Sequence, residues 1–175
     1  MALLRGVNVG RGNRVAMADP RATVAACGFT DVTTVLASGN VVFTTPRKLK
    51  PEVAAARLEQ ELASALALQV RVTVIGAAAF NAVIDEAPSL PAGADGSRLL
   101  AAFPRVPGAL AKLKPLAARD WSPASLTMGA HAAWLWCPGG VLTDKLFEDV
   151  SKLMGDDITT RNRNTLLKLQ AALAA

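Results

Sequence analysis

Two β-rich runs meet at a tight turn in residues 31–45, which read DVTTVLASGNVVFTT. Val and Thr dominate both runs, and these residue types favour the pleated backbone of a strand. Ser38, Gly39 and Asn40 lie between the runs and are typical of a short hairpin loop. The segment therefore predicts two adjacent antiparallel strands.

The hairpin is flanked on each side by one helix and one strand. Before it come a strand rich in Leu and Val at residues 2–9 and a helix at residues 17–27. After it come a helix at residues 51–68 and an alternating strand at residues 70–75. The predicted order is β-α-β-β-α-β, the ferredoxin-like arrangement.

The same order of elements returns in the second half of the chain. Its predicted elements are strands at residues 98–103, 126–128, 132–137 and 157–160 and helices at residues 108–118, 141–154 and 164–174. The helix at 141–154 carries one apolar stripe, formed by Leu142, Leu146, Val150 and Leu153. The two runs together predict an α+β fold of two ferredoxin-like halves plus a C-terminal helix.

The domain boundaries follow from this order. We expect ferredoxin-like halves at residues 1–76 and 98–175, separated by a linking helix and a Pro- and Gly-rich loop at residues 77–97. Right-handed crossovers insert the third strand of each half antiparallel between the first and second. The loop at residues 9–14 and the turn at residues 38–40 must then emerge at the same edge of the first sheet.

Composition narrows the classes of function. The 175 residues are 51% hydrophobic and 19% charged, which is typical of a globular chain. Neither a signal peptide nor a membrane span is recognisable, so we expect a cytoplasmic protein with no membrane partner. Cys27 and Cys137 form no C-x-x-C pair, and no His, Asp or Glu cluster resembles a metal site, so no metal or cofactor is expected.

Basic residues are concentrated in three acid-free clusters, in a chain of net charge +5. The clusters are Arg5, Arg11 and Arg14; Arg47, Lys48 and Lys50; and Arg161, Arg163 and Lys168. Such clusters attract anions. A solvated surface is the simpler interpretation of any one of them taken alone.

The loop after the first strand is the main candidate for a binding site. Gly10 and Gly12 lie in a strand-to-helix turn, but the run lacks the third glycine of a dinucleotide fingerprint and the Lys of a P-loop. The candidate anion-binding side chains at this edge are Arg5, Asn8, Arg11, Asn13, Arg14, Ser38 and Asn40. A turn that only reverses the chain is the alternative interpretation.

Three arginines occupy positions that normally disfavour them. Arg5 lies inside an apolar predicted strand, where either an ion pair or a bound anion must partner it. Arg161 and Arg163 lie at the start of the last helix, which Asn162 or Asn164 is expected to cap. Positive charge at that end of a helix is unfavourable unless an anion compensates it. Arg161, Asn162 and Arg163 therefore extend the candidate set.

Other chemistry has weaker support. Ser38 and the single histidine, His131, lack the G-x-S-x-G context of an activated nucleophile, so no catalytic constellation is recognisable. Trp134 and Trp136 share one face of a strand, where they either pack between the two halves or form a stacking platform for bases.

Several motifs resemble those of family 1697 of the bacterial domains of unknown function. R-G-V-N-V-G at residues 5–10 and S-G-N-V-V-F at residues 38–43 are the most specific. Similar segments are C-G-F-T-D-V at 27–32, W-C-P-G-G at 136–140 and T-T-R-N-R-N-T-L-L-K-L at 159–169. Arg163 departs from the family's pattern, in which an aromatic residue is frequent. The resemblance implies two ferredoxin-like halves and no established biochemical function.

The leading hypothesis is a protein that binds an anionic ligand, a nucleotide or nucleic-acid phosphate, at the edge of the first sheet. One alternative is an assembly module that takes no small ligand. The other is an enzyme acting on a phosphorylated small molecule.

Overall fold

The computed structural model describes residues 1–9, 14–45 and 49–174, in which the chain forms two compact units. The first unit contains residues 1–77 and the part of the last helix from Lys168 onward, and the second contains Ala78–Leu167. Each unit has one four-stranded sheet. The predicted α+β class is confirmed.

The first unit has the ferredoxin-like order. Its strands are β1 (Ala2–Leu4), β2 (Thr30–Thr34), β3 (Asn40–Thr44) and β4 (Val72–Val74), and its helices are α1 (Ala18–Ala26) and α2 (Pro51–Leu66). The sheet order is β2-β3-β1-β4, with β3 antiparallel to both β1 and β2. The end of β1 and the β2–β3 hairpin therefore lie at one edge of the sheet.

The second unit repeats this topology. Its strands are β5 (Leu99–Pro104), β6 (Ser125–Met128), β7 (Ala133–Trp136) and β8 (Ile158–Asn162). Its helices are α3 (Ala77–Asp85), α4 (Lys114–Ala117), α5 (Lys145–Met154) and the first part of α6 (Arg163–Ala174). The first residue of α3 belongs to the first unit. The sheet order is β6-β7-β5-β8. The predicted helix at residues 108–118 is instead a 3-10 helix, Ala109–Leu113, followed by the single turn of α4.

The core of the first unit contains side chains from its sheet and from α2. Leu4, Val41 and Val72 of the sheet share one cluster with Leu58 and Leu62 of α2, and all five are almost completely buried. Each such side chain stabilises the fold by about 1.5–3 kcal/mol. Residues four apart share a helix face, which is why Leu58 and Leu62 are buried together.

The apolar stripe of α5 differs from the predicted one. Leu146 is buried as expected, but Met154 completes the stripe in place of Leu153, which is 46% exposed. Leu142 is 93% exposed because it precedes the helix. Asp144 is the N-cap, and its side chain accepts a hydrogen bond from the N–H of Leu146 (3.0 Å). The predicted helix at residues 141–154 is therefore a 3-10 helix, Val141–Thr143, followed by an α-helix that begins only at Lys145.

The first strand is shorter than predicted and ends at Leu4. Its neighbour β3 begins at Asn40, so the hairpin turn, not a strand, lies beside the residues that follow Leu4. Gly6 and Asn8 then take left-handed backbone angles, with φ of 68° and 53°. The expectation that Arg5 lies inside a strand is wrong, because Arg5 is half-buried in the turn after β1.

Candidate anion-binding edge of the first sheet

The side chain of Asn8 joins the segment after β1 to the β2–β3 hairpin. Its Oδ1 accepts a hydrogen bond from the Val15 N–H (2.9 Å). Its Nδ2 donates to the carbonyl oxygens of Val15 (2.9 Å) and Ala37 (2.7 Å). The bonds to Val15 hold the two ends of the intervening segment together, and the bond to Ala37 fixes those ends beside the hairpin. Residues 5–9, 14–15 and 35–40 are together named the hairpin edge.

Gly39 allows the hairpin turn to approach β1. The Leu4 N–H donates a hydrogen bond to the Gly39 carbonyl oxygen (2.8 Å). A Cβ added to Gly39 would lie 2.9 Å from the Cβ of Leu4 and 3.1 Å from the Cβ of Val7. The φ of Gly39 is 75°, which other residues rarely adopt. Both the close contact and the backbone angle therefore require glycine here.

Asn40 links the two sides of the hairpin turn by hydrogen bonds. Its side chain is completely buried, and its Nδ2 donates to the Val35 carbonyl oxygen (2.9 Å) and to the Ser38 Oγ (3.1 Å). The Val35 N–H donates in turn to the Asn40 carbonyl oxygen (3.0 Å). Because it is buried, Asn40 positions the half-buried Ser38 at this edge.

Arg5 and Arg14 are the described cationic residues of the hairpin edge. Arg5 is half-buried, and its backbone N–H donates to the Arg71 carbonyl oxygen (2.8 Å). Arg14 is exposed and directly precedes Val15, the residue that Asn8 holds. Arg5 therefore precedes the segment whose ends the Asn8 side chain joins, and Arg14 is the last residue of that segment before Val15.

The local sequence of the hairpin edge supplies positive charge only. No Asp or Glu occurs in residues 1–18 or in residues 32–51. The predicted site residues Arg11 and Asn13 lie outside the described residues, as do the glycines of the predicted turn. Acid-free segments that carry arginines produce a positive local potential, which favours anions.

Apolar side chains are exposed at the same edge. Val9 is 65% exposed beside Asn8, and Leu36 is 45% exposed beside Ala37. The φ of Leu36 is 60°, a conformation that costs a residue with a Cβ on the order of 1–2 kcal/mol. The hairpin edge thus combines arginines with exposed apolar surface, a combination suited to ligands that carry both a phosphate and a ring.

Arg161 is engaged within the second unit. It is buried in β8, and its Nη1 donates to the Thr159 Oγ1 (3.0 Å) and to the Thr160 carbonyl oxygen (2.8 Å). Burial of the guanidinium lowers its pKa to about 10. Arg161 therefore stabilises the conformation at the end of β8.

Asn162 is the residue that caps α6. Its Oδ1 accepts a hydrogen bond from the Thr165 N–H (2.9 Å). Arg163, the first residue of α6, is half-buried. That these residues join the hairpin edge in one site stays a prediction.

Trp134 and the two cysteines are buried, and Trp136 is half-buried. Trp134 is 1% exposed, so the interpretation of a base-stacking platform is wrong for this residue. Cys27 and Cys137 are buried free thiols. Burial raises the pKa of Cys27 and raises that of Cys137 to about 12. Because the thiolate is the nucleophile, these thiols are poorly reactive.

The described residues also bear on metals and membranes. Within residues 1–9, 14–45 and 49–174, no three His, Cys, Asp or Glu side chains are grouped as they are around a metal ion. None of the helices in those ranges has the length and apolar character that crossing a bilayer requires.

Sequence reasoning did not find the partners of Asn8. These partners are backbone atoms of Val15 and Ala37, and a backbone atom leaves no signal in residue type. A usable signal was the position of Asn8 in a glycine-rich turn, since Asn adopts left-handed angles and bonds to nearby backbone.

Comparison with known proteins assigns the family. The profile of the family described as "Protein of unknown function (DUF1697)" matches residues 1–134. The chain belongs to the DUF1697 family. The family that the motifs at residues 5–10 and 38–43 indicated is thereby confirmed for this DUF1697 member.

A solved structure has the same fold as this DUF1697 chain. It is the conserved bacterial protein SP0830 from Streptococcus pneumoniae, with a TM-score of 0.71 and 22% sequence identity. The alignment covers 98% of this chain and 96% of that one. At this identity the likeness supports the fold alone. No match was found among curated proteins.

Proposed function

We propose that this protein binds an anionic ligand, a nucleotide or nucleic-acid phosphate, at the hairpin edge of the first unit. The observation that carries the proposal is the Asn8 side chain, whose hydrogen bonds hold the arginine-bearing segment after β1 beside the turn at Ala37. Because these hydrogen bonds already hold the two segments together, less conformational entropy is lost when a ligand binds.

The residues of this edge have the chemistry that a phosphate requires. Arginine forms charge-assisted, bidentate hydrogen bonds with phosphate oxygens, and Arg5 precedes the held segment while Arg14 lies near its end. Arg11 and Asn13 of the same segment are proposed as further donors. The Ser38 hydroxyl, which Asn40 positions, is proposed to add a neutral hydrogen bond.

The exposed apolar residues supply the second part of the recognition. Val9 and Leu36 flank the Asn8–Ala37 hydrogen bond, and we propose that they contact the sugar or base of the ligand. The proposal is confined to the hairpin edge because Arg161 and Asn162 are engaged in hydrogen bonds within β8 and α6.

The experiment is a fluorescence-anisotropy titration of labelled duplex DNA across a salt series, with ATP as a second probe. Three phosphate contacts predict a log–log slope of about −3. Arg14→Gln removes one contact and makes the slope less steep by about one, so that it becomes about −2. Lys114→Gln removes the same charge from an exposed position in the second unit and leaves binding unchanged. Absence of saturable binding of either probe at low salt would overturn the proposal.

Assembly with another protein is a second candidate function, favoured by the exposure of Val9 and Leu36. In that case Leu36→Asn would dissociate a concentration-dependent oligomer in sedimentation velocity. A chain that is monomeric at all concentrations would remove self-assembly at this edge.

A further inference from the structure

A cavity of about 200 Å³ lies within the second unit. Ile84 of α3 and residues 87–90 line one side of it, and Trp134 of β7 lines another. The first turn of α6 completes the wall with Arg163 and Leu166. Most of the lining residues are apolar in type, but the surface that they expose to the cavity is more polar than apolar, and the described residues that form it include no Asp or Glu.

Trp134, one of the lining residues, has a hydrogen-bond donor without a partner among the described residues. The residue is 1% exposed, and the donor is its indole N–H. Buried polar groups are nearly always paired, and one that is left unpaired lowers the stability of the fold. A ligand that accepts a hydrogen bond would remove this cost.

Arg163 brings a positive charge to the same wall. Its side chain is half-buried and makes no ion pair or hydrogen bond within the described part of the chain. It is also the first residue of α6, where the helix dipole adds further positive potential. Both features favour an anion at this position.

We propose that this cavity binds a small organic monocarboxylate. The carboxylate pairs with the Arg163 guanidinium and accepts a hydrogen bond from the Trp134 indole N–H. The hydrocarbon body packs against Ile84 and Leu90. An apolar cavity of about 150 Å³ accommodates benzene, so about 200 Å³ accommodates benzoate.

The chemistry of the wall favours a carboxylate over a phosphate. Inorganic phosphate has no apolar part that could contact the half-buried side chains of Ile84 and Leu90. A single guanidinium matches one carboxylate in charge and in bidentate geometry. This ligand and this cavity are independent of the phosphate site proposed at the hairpin edge.

The test is an NMR titration of the ¹⁵N-labelled full chain with benzoate. The indole N–H signal of Trp134 is assigned in the unmodified chain by correlation with its backbone, so no variant of this buried residue is required. We expect this signal to shift in a saturable manner with benzoate. Benzyl alcohol, which is similar in size but neutral, should bind at least tenfold more weakly.

Variants separate the charge of Arg163 from charge in general. Arg163→Gln should weaken benzoate binding by about tenfold or more, as expected for loss of a charge-assisted hydrogen bond. Lys168→Gln removes an exposed charge from the same helix and should leave affinity unchanged. Arg14→Gln should also leave benzoate affinity unchanged, while it weakens phosphate binding at the hairpin edge.

Three results would each overturn the proposal. They are a Trp134 signal that does not respond to benzoate, equal affinities for benzoate and benzyl alcohol, and an Arg163→Gln chain that binds benzoate as tightly as the unmodified chain. None of them affects the phosphate titration, so the two proposals fail separately.

Discussion

The Nδ2 of Asn8 lies 2.7 Å from the carbonyl oxygen of Ala37, although the two residues are 29 positions apart in the chain. The same amide exchanges two hydrogen bonds with the backbone of Val15. One side chain therefore determines how the segment after β1 meets the hairpin. Its loss should affect both stability and ligand binding.

Replacement of Asn8 by Ala removes three hydrogen bonds to backbone atoms and places a less suitable residue at a φ of 53°. We expect the free energy of unfolding to fall by about 2–4 kcal/mol. Urea denaturation followed by circular dichroism measures the change. Asn81→Ala, at an exposed position in α3, is the matched control and should change stability by less than about 0.5 kcal/mol. Equal effects of the two substitutions would contradict the role given to Asn8.

Gly39 and Gly28 form a matched pair that separates steric contact from backbone angle. Their φ values are 75° and 77°, but only an added Cβ at Gly39 meets neighbours, the nearest being the Leu4 Cβ at 2.9 Å. Gly28→Ala should cost about 1–2 kcal/mol for the left-handed angle alone. Gly39→Ala should cost about 1–3 kcal/mol more because of the overlap. Denaturation of both variants tests this, and equal costs would show that the turn can move away from β1.

The topology could be predicted from sequence, whereas the exact ends of elements could not. Apolar spacing and turn signals indicated both β-α-β-β-α-β runs. Each strand and each helix buries one of its own faces, so each has an apolar pattern in its own sequence. The end of β1 at Leu4 depends instead on where β3 begins, at Asn40. That boundary is a property of strand pairing, and the local sequence from Arg5 to Val9 still resembles a strand.

Burial of the Cys137 thiol predicts a pH dependence. Its pKa of about 12 exceeds the ordinary value of 9.0, so the folded chain holds this proton more tightly than the unfolded chain does. The stability from this group is complete below pH 9 and falls as the pH rises from 9 towards 12. Three pKa units correspond to about a thousandfold less Cys137 thiolate in the folded chain than in the unfolded chain at pH 8.

Alkylation kinetics measure this effect directly. In a Cys27→Ala chain, iodoacetamide at pH 8 should modify Cys137 at least about a thousandfold more slowly in buffer than in concentrated urea. Comparable rates in the two solvents would contradict the burial of this side chain.

Variants of Asn162 test whether this residue caps α6 or also contacts the ligand. Asn162→Ala removes the acceptor of the Thr165 N–H and should lower stability by about 1 kcal/mol, while Asn162→Asp retains an acceptor and should lower it less. Thermal denaturation measures both. Phosphate binding at the hairpin edge should be unchanged in either variant, and a loss of binding in a folded Asn162→Ala chain would place this residue in the ligand site.

The candidate site was only partly predictable because side-chain roles depend on burial. Asn8, Ser38 and Asn40 were all expected to bind a ligand, and the connectivity of the sheet predicted that they would be neighbours. Their separate roles depend on depth, since Asn40 is buried and holds the turn while Ser38 is half-buried. The cavity beside Trp134 had no sequence signal, because an unpaired indole N–H is visible only in three dimensions.

The most direct test of anion binding at the hairpin edge is an amide-resolved NMR titration of the full chain with ATP at low salt. The backbone amides of Val15, Ala37 and Ser38 should shift together along one saturable curve, and Arg14→Gln should displace that curve to higher ATP concentrations. If these three amides remain still while signals elsewhere move, or if no signal moves, the hairpin edge is not an anion site.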